Sequence, residues 1–173
     1  MDTTSYAIAL GSNRRHGRHG DPARVIAAAL AALRAAGIEV TATAPVFTTD
    51  PVGPSSRRYA NSAALVRTPL APLALLALLK GIERDFGRRR GQRWGSRVID
   101  LDILLWSGGR WRDRRLTIPH VGLPHRRFVL DPLVTIAPGW RDPATARSIA
   151  QLAFRAAAGL RQRSPVDRAP RHP

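Results

Sequence analysis

Two aspartates separated by one residue, Asp100 and Asp102, sit inside an apolar run over residues 98–105. The run reads as a β-strand, and strand periodicity turns both carboxylates to one face, about 6.5–7 Å apart along the backbone. From that spacing two carboxylates can converge on a pair of hard cations roughly 3.5–4 Å apart. Magnesium suits them best, because it takes one or two carboxylates, keeps waters and completes its octahedron with substrate phosphates. The plainer alternative is the wet face of an exposed strand. Aspartate is a poor strand former, however, and two on one face repel unless a positive charge sits between them. Five arginines, Arg88, Arg89, Arg90, Arg93 and Arg97, come just before the pair, with Glu83 upstream. Guanidinium groups clamp polyphosphate oxygens in bidentate fashion while a metal neutralises the rest, so the combination spells a phosphate–metal site. Without the aspartates the same arginines would read as a solvated loop or a nonspecific nucleic-acid patch.

These groups need a frame, and the chain's punctuation supplies one. Residues 5–10 read as a strand running into Gly11-Ser12-Asn13, followed by a basic, glycine-punctuated loop over 14–20. Asp21 as N-cap, Pro22 at the first helical position and Val25, Ile26, Ala29, Leu30 and Leu33 on one face make a helix that stops at Gly37. Residues 38–47 read as one strand. Asp-Pro and Gly-Pro dipeptides make 48–58 a long loop, and 60–68 resume as a strand. A helix from Pro72 to Gly87 places Leu75, Leu79, Ile82 and Phe86 on one stripe, with Glu83 at its edge. The strand over 98–106 turns at Gly108-Gly109 into 110–112. A loop with Pro119, Pro124 and two histidines precedes a short helix near 128–136, and 144–160 read as the last helix. Residues 161–173 form a basic tail expected to fray. Mixed elements without regular βα alternation predict an α+β sandwich, an antiparallel sheet covered by helices.

A length of 173 residues fits one domain over 1–160 with a proper core. No apolar run approaches the roughly 20 residues of a membrane span, no secretory pattern opens the chain, and there are no cysteines. Disulfides, thiolate metal sites and cysteine nucleophiles are thereby excluded, and a cytoplasmic location is expected. Lys80 is the single lysine among 28 basic residues, so 28 − 1 leaves 27 arginines against 12 acids and a net charge of +16. That balance implies anionic partners, although an arginine-biased genome would give the same count. Neither G-x-G-x-x-G after the first strand nor G-x-x-x-x-G-K-[ST] occurs, so a nucleotide must be held in another way.

Several ordered motifs then meet in one resemblance. They are Ala7-Ile8-Ala9-Leu10-Gly11-Ser12-Asn13; Thr49-Asp50-Pro51-Val52-Gly53-Pro54 leading to Tyr59-Ala60-Asn61; Ile82-Glu83 with Gly87-Arg88; Arg93-Trp94-Gly95-Ser96-Arg97 running into Asp100-Leu101-Asp102; and Leu116-Thr117-Ile118-Pro119-His120 followed by Arg126-Arg127-Phe128. In this order they resemble the 6-hydroxymethyl-7,8-dihydropterin pyrophosphokinases of folate biosynthesis, over roughly residues 6–138. The resemblance implies a ferredoxin-like α+β fold and transfer of a pyrophosphoryl group from ATP to the pterin's 6-hydroxymethyl oxygen, releasing AMP.

It further implies that Asp100 and Asp102 hold two magnesium ions, with Asp102 helping to draw off the proton, and that Arg88 and Arg97 act on the phosphates. On the ATP side stand His120 and Arg126, with Arg90 and Trp94 on a loop expected to close over the nucleotide and Ile103 and Thr117 along the adenine. On the pterin side Tyr59 and Phe128 match the aromatic pair that sandwiches the ring. Asn61 reads the ring's edge, Thr49, Pro51 and Val52 complete the recognition, and Glu83 supports it. A monomer acting on small molecules, with nucleic-acid binding at most nonspecific, is the expectation. Departures are Lys80 where glutamine is common, Asp50 and Ser96 where proline is usual, Val121 where an aromatic is frequent, and a loop shorter by one residue. His16 and His19 receive no role. Two rival readings stand beside this one: a noncatalytic arginine-rich nucleic-acid-binding module, and a paralogue acting on another flat heterocycle.

Overall fold

A computed structural model describes residues 3–49, 59–87 and 98–161. The first strand, β1, is Thr4–Ser12, and its alternation divides the molecule. Tyr6, Ile8 and Leu10 point into one apolar cluster, while Ala7 and Ala9 point into another on the opposite face. The next element, α1 (Pro22–Ala35), starts where Asp21 Oδ1 accepts from the Arg24 N–H at 3.0 Å. It ends at Gly37, whose φ of 81° lets the Ile38 N–H turn back to the Leu33 carbonyl at 3.1 Å. Val25, Ile26, Ala29 and Leu33 are its buried face, as their spacing predicts.

The expected strand over 38–47 is two strands, β2 (Glu39–Thr43) and β3 (Phe47–Thr49), broken around Pro45. Proline has no N–H to give a ladder. The break is held instead by Ala44 N–H to Ala63 carbonyl at 2.8 Å and Ser62 Oγ to Ala44 carbonyl at 2.9 Å. Both pieces pair with the same side of β4 (Tyr59–Thr68). The following helix, α2 (Pro72–Asp85), buries Leu75, Leu79 and Ile82 as expected, each contributing about 2 kcal/mol. It also buries Glu83 completely, which its place at the stripe's edge does not predict.

With β5 (Asp100–Trp106) the main sheet is complete in the order β2-β4-β1-β5, every pairing antiparallel. Past Trp106 the chain turns at Gly109, but the returning strand β6 (Trp111–Arg112) pairs with β7 (Thr117–Ile118) rather than with β5. Here the Trp106 ring lies against Gly108, where any Cβ would run into it, and meets Trp111 edge-on at 6.0 Å. After a single 3-10 turn (Leu123–His125) comes α3 (Arg127–Ile136), and the last helix is α4 (Ile149–Arg161).

The last helix starts five residues later than its composition suggests. The buried carboxylate of Asp142 accepts from the Ala144 N–H at 2.8 Å and the Thr145 hydroxyl at 2.7 Å, fixing a turn that leaves Ala146 at a φ of 59°. Ser148 and Gln151 then make a reciprocal cap at 3.2 and 2.9 Å. The first two helices cover one face of the sheet and α3 with α4 cover the other, which is the mixed α/β, antiparallel arrangement expected. The basic tail over 162–173 lies outside the described residues.

Candidate active site

Side-chain direction in a sheet alternates, so the register decides what meets what. On β5, Leu101 and Ile103 enter the cluster under α1 and α2, which turns Asp100 and Asp102 to the opposite face. There Gly11 of β1 stands directly opposite both Asn61 of β4 and Asp100 of β5, and Ala9 stands opposite Ala63 and Asp102. Two rows thus cross the sheet, with a carboxylate at one end and small residues in the middle. A Cβ at Gly11 would lie 3.5 Å from Asn61 Oδ1, an ordinary contact, so packing among the described residues does not require glycine there. The absence of a side chain leaves a shallow floor between an amide and a carboxylate.

Aromatic surface borders this floor. Tyr59 opens β4 on the face of Asn61 and Ala63, and Phe128 lies in the first turn of α3, which packs against β3 and β4. The two rings are 37% and 43% exposed, and they are two of only five large apolar side chains left open to solvent among the described residues. Arg126 places its guanidinium carbon 5.9 Å from the Phe128 ring centroid. Thr49 pairs its backbone with Tyr59 at the end of β3.

Another side of the floor is built from the segment after β7. His120 donates its backbone N–H to the Leu104 carbonyl at 3.0 Å, anchoring the segment to the outer edge of β5. Its Nδ1 accepts from the Gly122 N–H at 3.0 Å, so in the neutral ring the proton is on Nε2. Burial pushes the imidazole below the usual histidine range; Asp102 and Asp100 pull against that shift, and Arg126 and Lys80 add to it. The ring is therefore an uncharged N–H donor at neutral pH, set among two carboxylates and two cations. Thr117 is half-buried on β7 beside β5.

Arg126 owes its position to Gly122. That glycine has an ordinary helical backbone, φ −84° and ψ −7°, so alanine fits its conformation. A Cβ would nevertheless fall 2.6 Å from Nε and 2.9 Å from Cζ of Arg126. Gly122→Ala is expected to push the guanidinium off the Phe128 ring and, if Arg126 holds the ATP phosphates as the resemblance implies, to weaken ATP binding roughly 5- to 20-fold with little change in melting temperature. Calorimetric titration with ATP alongside a thermal melt checks this. Unchanged ATP affinity would show that Arg126 is not placed by this contact.

Two expected site residues lie elsewhere. Ile103 is 1% exposed with its side chain in the core, so any contact with adenine has to come through its backbone. Glu83 lies behind the floor, its Oε1 accepting from the Leu101 N–H at 2.8 Å and from Lys80 Nζ at 2.7 Å. Arg88, Arg90, Trp94, Arg97, Pro51 and Val52 lie outside the described residues. Among those described, no group of three or more His, Cys, Asp or Glu side chains could hold a metal ion. A pair of carboxylates is what magnesium uses when phosphates complete its shell, and it would not suffice for a closed zinc site.

The sequence profile described as 7,8-dihydro-6-hydroxymethylpterin-pyrophosphokinase (HPPK) matches residues 7–138, which include every element of this floor. The chain belongs to that family. Among pyrophosphokinases of the family, the 2-amino-4-hydroxy-6-hydroxymethyldihydropteridine pyrophosphokinase of Bacillus subtilis is 37% identical over 169 residues, covering 96% of this chain and 96% of that one. The protein of the same name from Synechocystis is 41% identical over 117 residues, or 68% of this chain, and the chain spans 60% of its length. A Plasmodium falciparum HPPK-DHPS crystal structure with pteroate superposes with a TM-score of 0.71 at 14% identity. The match covers 94% of this chain and 44% of that one, and at such identity it speaks for the fold alone. Family membership displaces the reading of a noncatalytic nucleic-acid module.

Sequence reasoning passed over the floor itself. Gly11 and Ala9 were legible as part of a motif, but their role depends on the pairing of β1 with two neighbours at once. The alternation of bulky Tyr6, Ile8 and Leu10 with small Ala7, Ala9 and Gly11 is the signal that could have found it.

Proposed function

We propose that this chain transfers the β,γ-pyrophosphoryl group of ATP to the hydroxymethyl oxygen of 6-hydroxymethyl-7,8-dihydropterin, a step of folate biosynthesis. The observation that carries this reading is the row Asn61–Gly11–Asp100, a ring-reading amide and a metal-type carboxylate joined across a residue without a side chain, in a chain of the pyrophosphokinase family. In the reaction the hydroxymethyl oxygen attacks the β-phosphorus, the bridge between α- and β-phosphates breaks, and AMP leaves with the electron pair.

The residues divide the work. Tyr59 and Phe128 hold the flat ring between their faces, and Asn61 pairs with the donors and acceptors on its edge, helped by Thr49, Pro51 and Val52. Arg126 and the Nε2–H of His120 bind phosphate oxygens, and Arg88 and Arg97 steady the transferring group. Arg90 and Trp94 bind the nucleotide, whose adenine lies along Thr117 and the backbone of Ile103. Asp100 and Asp102 would hold magnesium, two ions by family resemblance, which supplies charge neutralisation on the phosphates. Asp102 would also take up the hydroxymethyl proton. Glu83 supports the floor from behind.

The element order β1-α1-β2-β4-α2-β5 with strand order β2-β4-β1-β5 supports a ferredoxin-like core, to which α3 and α4 add a layer.

Chromatography of nucleotides after mixing the protein with ATP, magnesium and the hydroxymethyl pterin tests the reading. AMP is expected in stoichiometric yield with a pterin diphosphate, and only when the pterin is present. Formation of ADP, or no pterin-dependent AMP from folded protein, would refute it.

A further inference from the structure

Lys80, the single lysine of the chain, is tied on three sides. Its Nζ donates to Glu83 Oε1 at 2.7 Å and to the Leu101 carbonyl at 3.0 Å, and lies 3.7 Å from Asp102 Oδ1. Leu101 is the residue between the two aspartates. Both its backbone groups face outward from the sheet, the carbonyl taken by Lys80 and the N–H by Glu83 at 2.8 Å. The pair of α2 side chains thereby stands in for a missing neighbour strand at that one residue of β5.

This arrangement fixes a charge as well as a backbone. A surface lysine swings freely and its charge is screened. Lys80 cannot leave without breaking a bond to a carboxylate that is 0% exposed and another to a buried strand carbonyl. Its ammonium is therefore a resident cation beside Asp102, close enough that it acts, with Asp100, Asp102 and Arg126, on the His120 imidazole. A divalent ion arriving at the carboxylates meets this positive charge, whereas nucleotide phosphates bring negative charge that offsets it.

We propose that Lys80 is a positioning residue that weakens divalent-metal binding at Asp100 and Asp102 until nucleotide is present, making metal loading depend on ATP. The proposal rests on the reading of the two aspartates as metal ligands. A unit charge within a few ångströms of a divalent ion, in a partly solvated setting, changes its affinity by on the order of tenfold.

Manganese binding followed by electron paramagnetic resonance, with and without an ATP analogue carrying a methylene between the α- and β-phosphorus, reads this without turnover. Lys80→Gln keeps a donor for Leu101 and Glu83 but removes the charge. It is expected to bind manganese about tenfold more tightly than the native protein in the absence of nucleotide, shrinking the enhancement that the analogue produces. Lys80→Arg keeps the charge and is expected to stay within about threefold of native. Folded Lys80→Gln that binds free manganese no more tightly than native, or more weakly, overturns the proposal and leaves Lys80 as a brace. Asp102→Ala separates the two failures. If native protein binds manganese and Asp102→Ala does not, an unchanged Lys80→Gln sinks only this inference. If native protein binds no manganese even with the analogue, the metal reading falls and takes this one with it.

Discussion

Asp102→Ala is expected to lower pterin-dependent AMP formation by on the order of a thousandfold or more. The carboxylate sits on the floor side of β5, level with Ala9 and one residue pair from Asp100, and it contributes nothing to either apolar cluster. Its side chain is 35% exposed, so the substitution removes charge at the proposed reacting centre without opening a cavity. Folding should therefore survive, and a thermal melt run beside the assay separates lost chemistry from lost structure. Phosphoryl-type transfer leaves little covalent work to the protein, so the loss of a carboxylate proposed to hold metal falls on the transition state itself. A variant with native turnover would remove Asp102 from the metal site.

Phe128→Ala is expected to weaken pterin binding roughly 10- to 100-fold, the usual worth of an aromatic face stacked on a heterocycle. Stability should change little, because the ring is half in solvent while Val129, Leu130 and Leu133 carry the packing of α3. ATP affinity should fall by no more than a few-fold, through the guanidinium of Arg126 that rests over the ring. Phe128→Tyr keeps the face and should restore most of the pterin affinity. Calorimetric titrations with each ligand read the two effects separately, and an unchanged pterin affinity would mean that the ring stacks elsewhere.

Local rules made much of the frame legible. Asp21, Pro22 and Gly37 bound α1 as their chemistry dictates, and the alternation around Asp100 and Asp102 gave the shared face of the two carboxylates. What stayed hidden depends on partners distant in sequence. Pro45 divides a strand, but only the hydroxyl of Ser62 and the carbonyl of Ala63 show how the break is satisfied. The start of α4 is set by the buried Asp142, which outweighs the helical propensity of the alanines before it. Glu83 is the sharpest case: a carboxylate at the rim of an apolar stripe belongs in water unless an unpaired strand N–H and an ammonium meet it, and both come from tertiary structure. The site residues in 50–58 and 88–97 lie outside what the fold describes.

The row through Asn61, Gly11 and Asp100 runs across three strands rather than along one. Its length is consequently two interstrand spacings, about 10 Å, fixed by backbone hydrogen bonds. Side-chain evolution can recolour such a gauge but cannot stretch it. A heterocycle one ring shorter, gripped by the same amide, would hold its alcohol short of the carboxylates and stay unreacted. On the proposed reading, selectivity for substrate size is thus a property of the sheet, measured out in strands.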